Sequence, residues 1–208
     1  MEQKHFIIKE NEIIYDFTLT MKYLSDYGQK RFGSDFRIMR VNKNILKKLM
    51  MYAIQDQENC KKHNIDLKKG ILLVGTIGCG KTSLMHLFNI LTHPHRKHIV
   101  KPTRTIAGEF LQNGYEAIHK YGNTDKIYCF DDLGIEQNMK HFGNESNVIA
   151  EILLSRYDLL RYQGIITHAT TNLNANELEK LYGNRVRSRL REMFNLITFP
   201  DDAVDLRK

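Results

Sequence analysis

The 208-residue chain has no tryptophan, three prolines and three cysteines. It has no uninterrupted apolar run near the roughly 18 residues a membrane span needs, which predicts no membrane anchor. The odd cysteine count (Cys60, Cys79, Cys129), at spacings that match no metal site, argues against a disulfide framework. The amino terminus, Met1-Glu2-Gln3-Lys4-His5, leads into only three apolar residues, so no secretory signal is expected. These absences point to a reduced, cytoplasmic protein. Repeats and low-complexity tracts are missing too. What remains is a globular composition, 42% hydrophobic and 26% charged, sized for one domain or one domain with an extension.

The charge is basic and uneven. The net is +7, and residues 1–70 carry 14 basic against 9 acidic side chains. A basic amino-terminal third suits nucleic acid or an acidic partner, and equally a solvated lysine-rich surface.

Residues 1–40 contain one short β-like run, Phe6-Ile7-Ile8, and otherwise give no firm element. From Asn42 to about Cys60, apolar residues such as Ile45, Leu49, Tyr52 and Ala53 recur at helical spacing. From residue 70 onward strands and helices alternate. The apolar runs predict strands at Ile71–Val74, His98–Thr103, Lys126–Phe130, Ile165–Thr171 and Leu196–Phe199. Helices are expected at Lys81–Thr92, Ile106–Lys120, Val148–Tyr162, Glu177–Tyr182 and Arg185–Phe194. Five strands with interleaved helices imply an α/β fold, a mainly parallel sheet covered on both faces.

The strongest local signal is Gly75-Thr76-Ile77-Gly78-Cys79-Gly80-Lys81-Thr82, followed by Ser83, between an expected strand and an expected helix. It fits the G-x-x-x-x-G-K-[ST] phosphate loop at every fixed position. Glycines let the backbone turn its N–H groups on phosphate oxygens, and the following helix presents its positive end. Lys81 would meet the β- and γ-phosphates of ATP, and the Thr82 hydroxyl would ligate Mg²⁺. Cys79 lies inside this loop, where its backbone matters more than its sulfur, and MgATP is expected to protect it from alkylating agents.

Tyr128-Cys129-Phe130-Asp131-Asp132 reads as a strand ending in two acids. Ligands of an open α/β sheet bind at the carboxyl ends of its strands. Asp131 there would join the Mg²⁺ shell, and Asp132 would polarise the attacking water. Another strand runs through Thr170-Thr171 to Asn172, whose amide is placed to bond the γ-phosphate or orient water. The segment Arg185-Val186-Arg187-Ser188-Arg189-Leu190-Arg191 puts 185 and 189 on one helical face and 187 and 191 on another. Like charges at that spacing repel, so an acidic or phosphate partner, DNA backbone or solvent must offset them.

Gly75–Thr82, Ile127–Asp132, Thr170-Thr171-Asn172-Leu173 and Tyr182-Gly183-Asn184-Arg185 through Arg189-Leu190 occur in the order of AAA+ ATPases. The chain resembles the DnaC/IstB-like branch, replicative-helicase loaders and ATP-dependent helpers of transposases, over about residues 40–208. The resemblance implies a P-loop AAA+ domain at 41–208, without the carboxyl-terminal helical lid. A short extension, 1–40, would be available to a partner or DNA. It also implies that Lys81, Thr82 and Asp131 bind MgATP, Asp132 activates water and Asn172 senses the γ-phosphate. Arg189 would be an arginine finger reaching the ATP of a neighbouring subunit, with Arg185 as second candidate. The partners implied are single-stranded or duplex DNA, a replicative helicase or a transposase, and further copies of the chain in an ATP-dependent oligomer. In that family the stretch Arg96–Arg104, with Tyr115 or Tyr121, would lie near single-stranded DNA. Two other readings share the loop: a small P-loop kinase, and an adaptor that ATP switches without hydrolysis. Asp132, where many AAA+ proteins carry glutamate, keeps the adaptor open.

Two other features read as packing or surface. His93-Pro94-His95-Arg96-Lys97-His98 has no local acid or cysteine to complete a metal site. Phe110, Leu111, Tyr115 and Ile118 form a stripe that more often packs than stacks on bases.

Overall fold

The computed structural model describes residues 5–10, 12–39, 42–136, 139–141, 144–200, 203, 205 and 206. Residues 1–43 and 44–208 form two compact units.

In the first unit, β1 (Phe6–Lys9) and β2 (Glu12–Tyr15) make an antiparallel hairpin pairing Phe6 with Tyr15 and Ile7 with Ile14. Helix α1 (Phe17–Phe32) follows, its first turn capped by the Asp16 carboxylate, which accepts the Leu19 N–H at 2.8 Å. Such a cap satisfies a donor that the helix itself cannot. The hairpin's isoleucines Ile7, Ile8, Ile13 and Ile14 are exposed.

In the second unit, α2 (Asn42–Ala53) and α3 (Gln57–Lys62) lead to β3 (Gly70–Val74) and α4 (Lys81–Leu91). Next come β4 (Ile99–Pro102), α5 (Thr103–Asn113), α6 (Tyr115–Gly122) and β5 (Tyr128–Leu133). A small hairpin, β6 (Met139–His141) and β7 (Asn144–Ser146), precedes α7 (Val148–Gln163). The chain then forms β8 (His168–Thr171), α8 (Ala175–Met193) and β9 (Phe194–Thr198).

Five of these strands pair in parallel in the order β4-β5-β8-β3-β9. Numbered by sequence, that order is 5-1-4-3-2 read from β9. Strand alternation divides the core between two faces. Leu72, Tyr128, Phe130 and Ala169 join a cluster with Phe110 of α5, Tyr121 of α6, Ile152 of α7 and Val186 of α8. On the other face, the rings of Tyr52, Phe88, His98 and His168 meet at centroid separations of 4.8–6.3 Å.

The expected helix over 106–120 is two helices. Gly114, at φ 56°, ψ −136°, ends α5 and starts α6. That conformation suits a residue without a Cβ. The two expected helices over 177–194 are both present, meeting within α8 at a kink where Gly183 leaves helical geometry (φ 83°, ψ 162°).

Two buried groups set the end of the sheet away from the phosphate loop. Arg156 of α7 is fully buried without a carboxylate partner among its recorded bonds. It donates to Thr167 Oγ1 (2.8 Å), the Thr124 carbonyl (2.7 Å) and the Ile166 carbonyl (3.0 Å), and burial brings its pKa down to about 10. His168 Nδ1 accepts the Ile71 N–H at 3.0 Å.

Candidate nucleotide-binding site

Strand β3 ends at Val74, and the chain crosses residues 75–80 to enter α4 at Lys81. Two glycines make the crossing possible: Gly78 (φ 79°) and Gly80 (φ 97°) sit in the left-handed region. Gly75 is constrained sterically, since a Cβ there would come within 2.7 Å of the Phe199 side chain. No side chain caps the first turn of α4. A helix start without a side-chain cap, entered through a glycine loop, is the arrangement that binds phosphate. Lys81 is buried, and its ammonium donates to the carbonyls of Gly75 and Thr76, both at 2.9 Å.

The acids come from the neighbouring strand end. Asp131 is 5% exposed, and hydroxyls surround its carboxylate. The Thr82 hydroxyl lies 3.0 and 2.9 Å from its two oxygens, and the Thr170 hydroxyl donates to Oδ1 at 2.6 Å. This is a compact set of hard oxygen donors. It fits Mg²⁺, which binds through one or two carboxylates together with water and phosphate oxygens.

Asp132 departs from strand geometry. Its φ of 58° is in the left-handed region, and the β5–β8 register shifts between Phe130 and Leu133. Such bulges re-aim side chains beside sites. The Asp132 backbone is held on both sides: its N–H donates to Thr170 Oγ1 and its carbonyl accepts Thr103 Oγ1, each at 2.8 Å. Asn172 follows β8 directly and is exposed. Because β5, β8 and β3 are adjacent, the Gly75–Ser83 segment, Asp131, Asp132 and Asn172 all meet at one edge of the sheet.

Arg189 stands apart from this edge. Arg185 is exposed. The Arg189 guanidinium lies 4.4 Å from the centre of the Tyr157 ring and 3.6 Å from Glu192, and Tyr157 donates to Glu192 at 2.8 Å. The Arg191 carbonyl accepts Lys69 Nζ at 3.1 Å, which places the end of α8 beside the start of β3. That is the end of β3 away from the phosphate loop.

Several expectations change. Cys79 is 1% exposed and burial raises its thiol pKa, so ready alkylation is not expected of the folded chain. Tyr121 is buried, its hydroxyl donating to Glu109, and cannot offer a face to a base; Tyr115 is 59% exposed and can. Phe110 and Ile118 pack in the core, whereas Leu111 is exposed. His98 turns inward among rings, while His93 and His95 lie 5.1 Å apart on the outside. Among the described residues no three potential metal ligands gather at one point.

Thr170 and Tyr182 stand in the sequence motifs without a role of their own, and Thr103 and Glu136 stand in none, although all four contact or frame the acids. Thr170 adjoins Asn172, and Tyr182 opens the Tyr-Gly-Asn-Arg motif. Their partners lie 29–46 residues away, and no local pattern discloses them.

No protein-family model and no curated protein sequence matches the chain. Among solved structures it is similar to the DnaC helicase loader, with TM-score 0.54, 20% identity, and 79% of this chain and 94% of that one covered. It is similar to DnaI, with TM-score 0.52, 21% identity, and coverage of 80% and 89%. It is also similar to AMPPCP-bound DnaA from Aquifex aeolicus, with TM-score 0.50, 19% identity, and coverage of 81% and 50%. What the chain shares with these proteins is its fold, a five-stranded parallel sheet with helices on both sides and a phosphate-type glycine loop between β3 and α4.

Proposed function

We propose that this chain is a Mg²⁺-dependent ATPase that works as a DnaC-like helicase loader, assembling in an ATP-dependent manner on single-stranded or duplex DNA. The observation that carries the reading is the meeting of Thr82, Asp131 and Thr170 beside a glycine loop and an uncapped helix end. The backbone N–H groups of 75–83 would cradle the phosphates. Lys81 would leave the Gly75 and Thr76 carbonyls for the β- and γ-oxygens. Thr82 and Asp131 would hold Mg²⁺, which when bound neutralises charge developing on the phosphates. Asp132 would take the proton of the attacking water, and Asn172 would hold that water or the γ-phosphate in line. Arg189, or Arg185, would stabilise transition-state charge in a neighbouring copy. The placement of Arg189 near the end of β3 away from the loop supports action between copies. The exposed isoleucines of residues 7–14 and the basic amino-terminal third suit contact with a helicase or DNA.

The test is steady-state ATP hydrolysis against protein concentration, with and without single-stranded DNA, using Lys81→Ala as blank. Specific activity that rises with both concentration and DNA is expected. Bound ATP without turnover would favour an ATP-switched adaptor. Turnover independent of concentration and DNA would favour a kinase-like monomer.

A further inference from the structure

One buried hydrogen bond joins the acid turn to the helix that carries the arginines. The Tyr182 hydroxyl donates to Glu136 Oε1, and both residues are buried. Glu136 Oε2 accepts the Gly134 N–H at 3.1 Å. Gly134 is two residues past Asp132, and the Ile135 N–H returns to the Asp132 carbonyl at 3.3 Å. Glu136 thus closes the turn that holds Asp132 in its left-handed conformation, while Thr171 Oγ1 fixes the Leu133 carbonyl at 2.8 Å. The packing is close: a Cβ on Gly134 would overlap the Leu173 side chain and touch that of Leu181. The turn thus packs against the segment that enters α8 and against Leu181 in its first half.

Tyr182 is the last residue before the break in α8 at Gly183. The half before the break is anchored, since Asn147 Nδ2 donates to the Leu181 carbonyl at 2.8 Å. The half after it carries Arg185 and Arg189, and an Arg187–Glu179 ion pair spans the break. A break of this kind is where a rigid helical arm can pivot. The bond removes a proton donor and an acceptor from water together, so leaving either unpaired in this buried place is costly.

We infer that Glu136 and Tyr182 are positioning residues, coupling the state of the acid turn at Asp131–Asp132 to the orientation of the arm that presents Arg185 and Arg189. The inference rests on the ATPase reading above. It adds that a copy's own nucleotide sets how its arginines are presented to the next copy.

The experiment is hydrogen exchange of the full chain with and without MgAMPPCP, for wild type, Tyr182→Phe and Glu136→Gln. Phenylalanine keeps the buried ring and removes only the hydroxyl; glutamine keeps an acceptor for the Gly134 N–H and an amide that can donate to the Tyr182 oxygen. In wild type and Glu136→Gln, nucleotide is expected to slow exchange at 75–83, at 131–136 and at 184–193. In Tyr182→Phe it should slow exchange at the first two and leave 184–193 unchanged. Hydrolysis gives a second readout: kcat of Tyr182→Phe should fall about 10-fold or more with nucleotide Kd essentially unchanged, the pattern of a lost transition-state contribution. Tyr182→Phe that protects 184–193 as wild type does overturns the coupling, as does wild type that gains protection only at the first two segments. No protection at 75–83 in any variant refutes the nucleotide site itself, and the coupling with it.

Discussion

Thr82 and Asp131 stand 49 positions apart in the chain, yet the threonine hydroxyl rests within 3.0 Å of both carboxylate oxygens. The pair joins the first turn of α4 to the end of β5. Thr170 completes it from β8, at 2.6 Å from Oδ1.

Thr170 is therefore a supporting partner of the proposed metal ligand. Such partners typically contribute 10–100-fold in metal affinity or activity. Thr170→Val should weaken the Mg²⁺ dependence of hydrolysis by about that factor while the chain stays folded. A Mg²⁺ titration of ATPase rate at fixed ATP measures it, and an unchanged midpoint would remove Thr170 from the site.

Arg189→Ala should retain ATP binding and lose hydrolysis, by about 10³-fold or more if it acts as arginine fingers do. Mixed with Lys81→Ala, which supplies an intact arginine but a dead loop, it should recover part of the activity. Absence of recovery in proteins that still associate argues against action between copies. The same mixing with Arg185→Ala decides between the two arginines.

Acid should destabilise the fold through two buried imidazoles. Burial lowers the pKa of His98 to about 3 and that of His168 well below its ordinary 6.5. The folded chain holds both neutral, while the unfolded chain protonates them as pH falls through about 6.5. The unfolded state then binds more protons, so stability is complete above that pH and drains away below it, until about pH 3 for His98. Each histidine adds up to about 1.4 kcal/mol per pH unit. Urea midpoints at pH 7, 6 and 5 should show the slope, and His98→Leu should reduce it.

Arg156→Leu should be destabilising without touching the site. Loss of the guanidinium leaves the Thr124 and Ile166 carbonyls without its hydrogen bonds. Each buried orphan costs about 1–3 kcal/mol. Urea unfolding should register about 2–5 kcal/mol, with nucleotide affinity preserved at temperatures where the variant is folded.

Much of the second unit is legible in the sequence because its signals are local. The glycine loop has fixed spacing, and the runs around Leu72 and Phe130 alternate between two buried faces. The break at Gly114 was hidden, because Phe110 and Ile118 keep a helical period across it. Helix α1 also escaped notice: apart from the Asp16 cap, residues 17–32 mix polar and aromatic positions without a clear stripe. The hairpin at 139–146 gave no apolar alternation to read. In the site, Lys81, Thr82 and Asp131 belong to recognisable strings. Glu136 and Thr103 matter only through partners that folding brings to them.

The far-end placement of Arg189, fixed by the Lys69 contact at Arg191, has a consequence for stoichiometry. If each copy lends its arginine to the next, the lending and receiving surfaces are different patches. Where the two patches lie on opposite faces, a two-fold pair cannot satisfy both, and the contact repeats head to tail. A row that does not close ends in one copy whose nucleotide lacks a neighbour's arginine. That terminal copy would hold its ATP longest, and the row would carry a marked end.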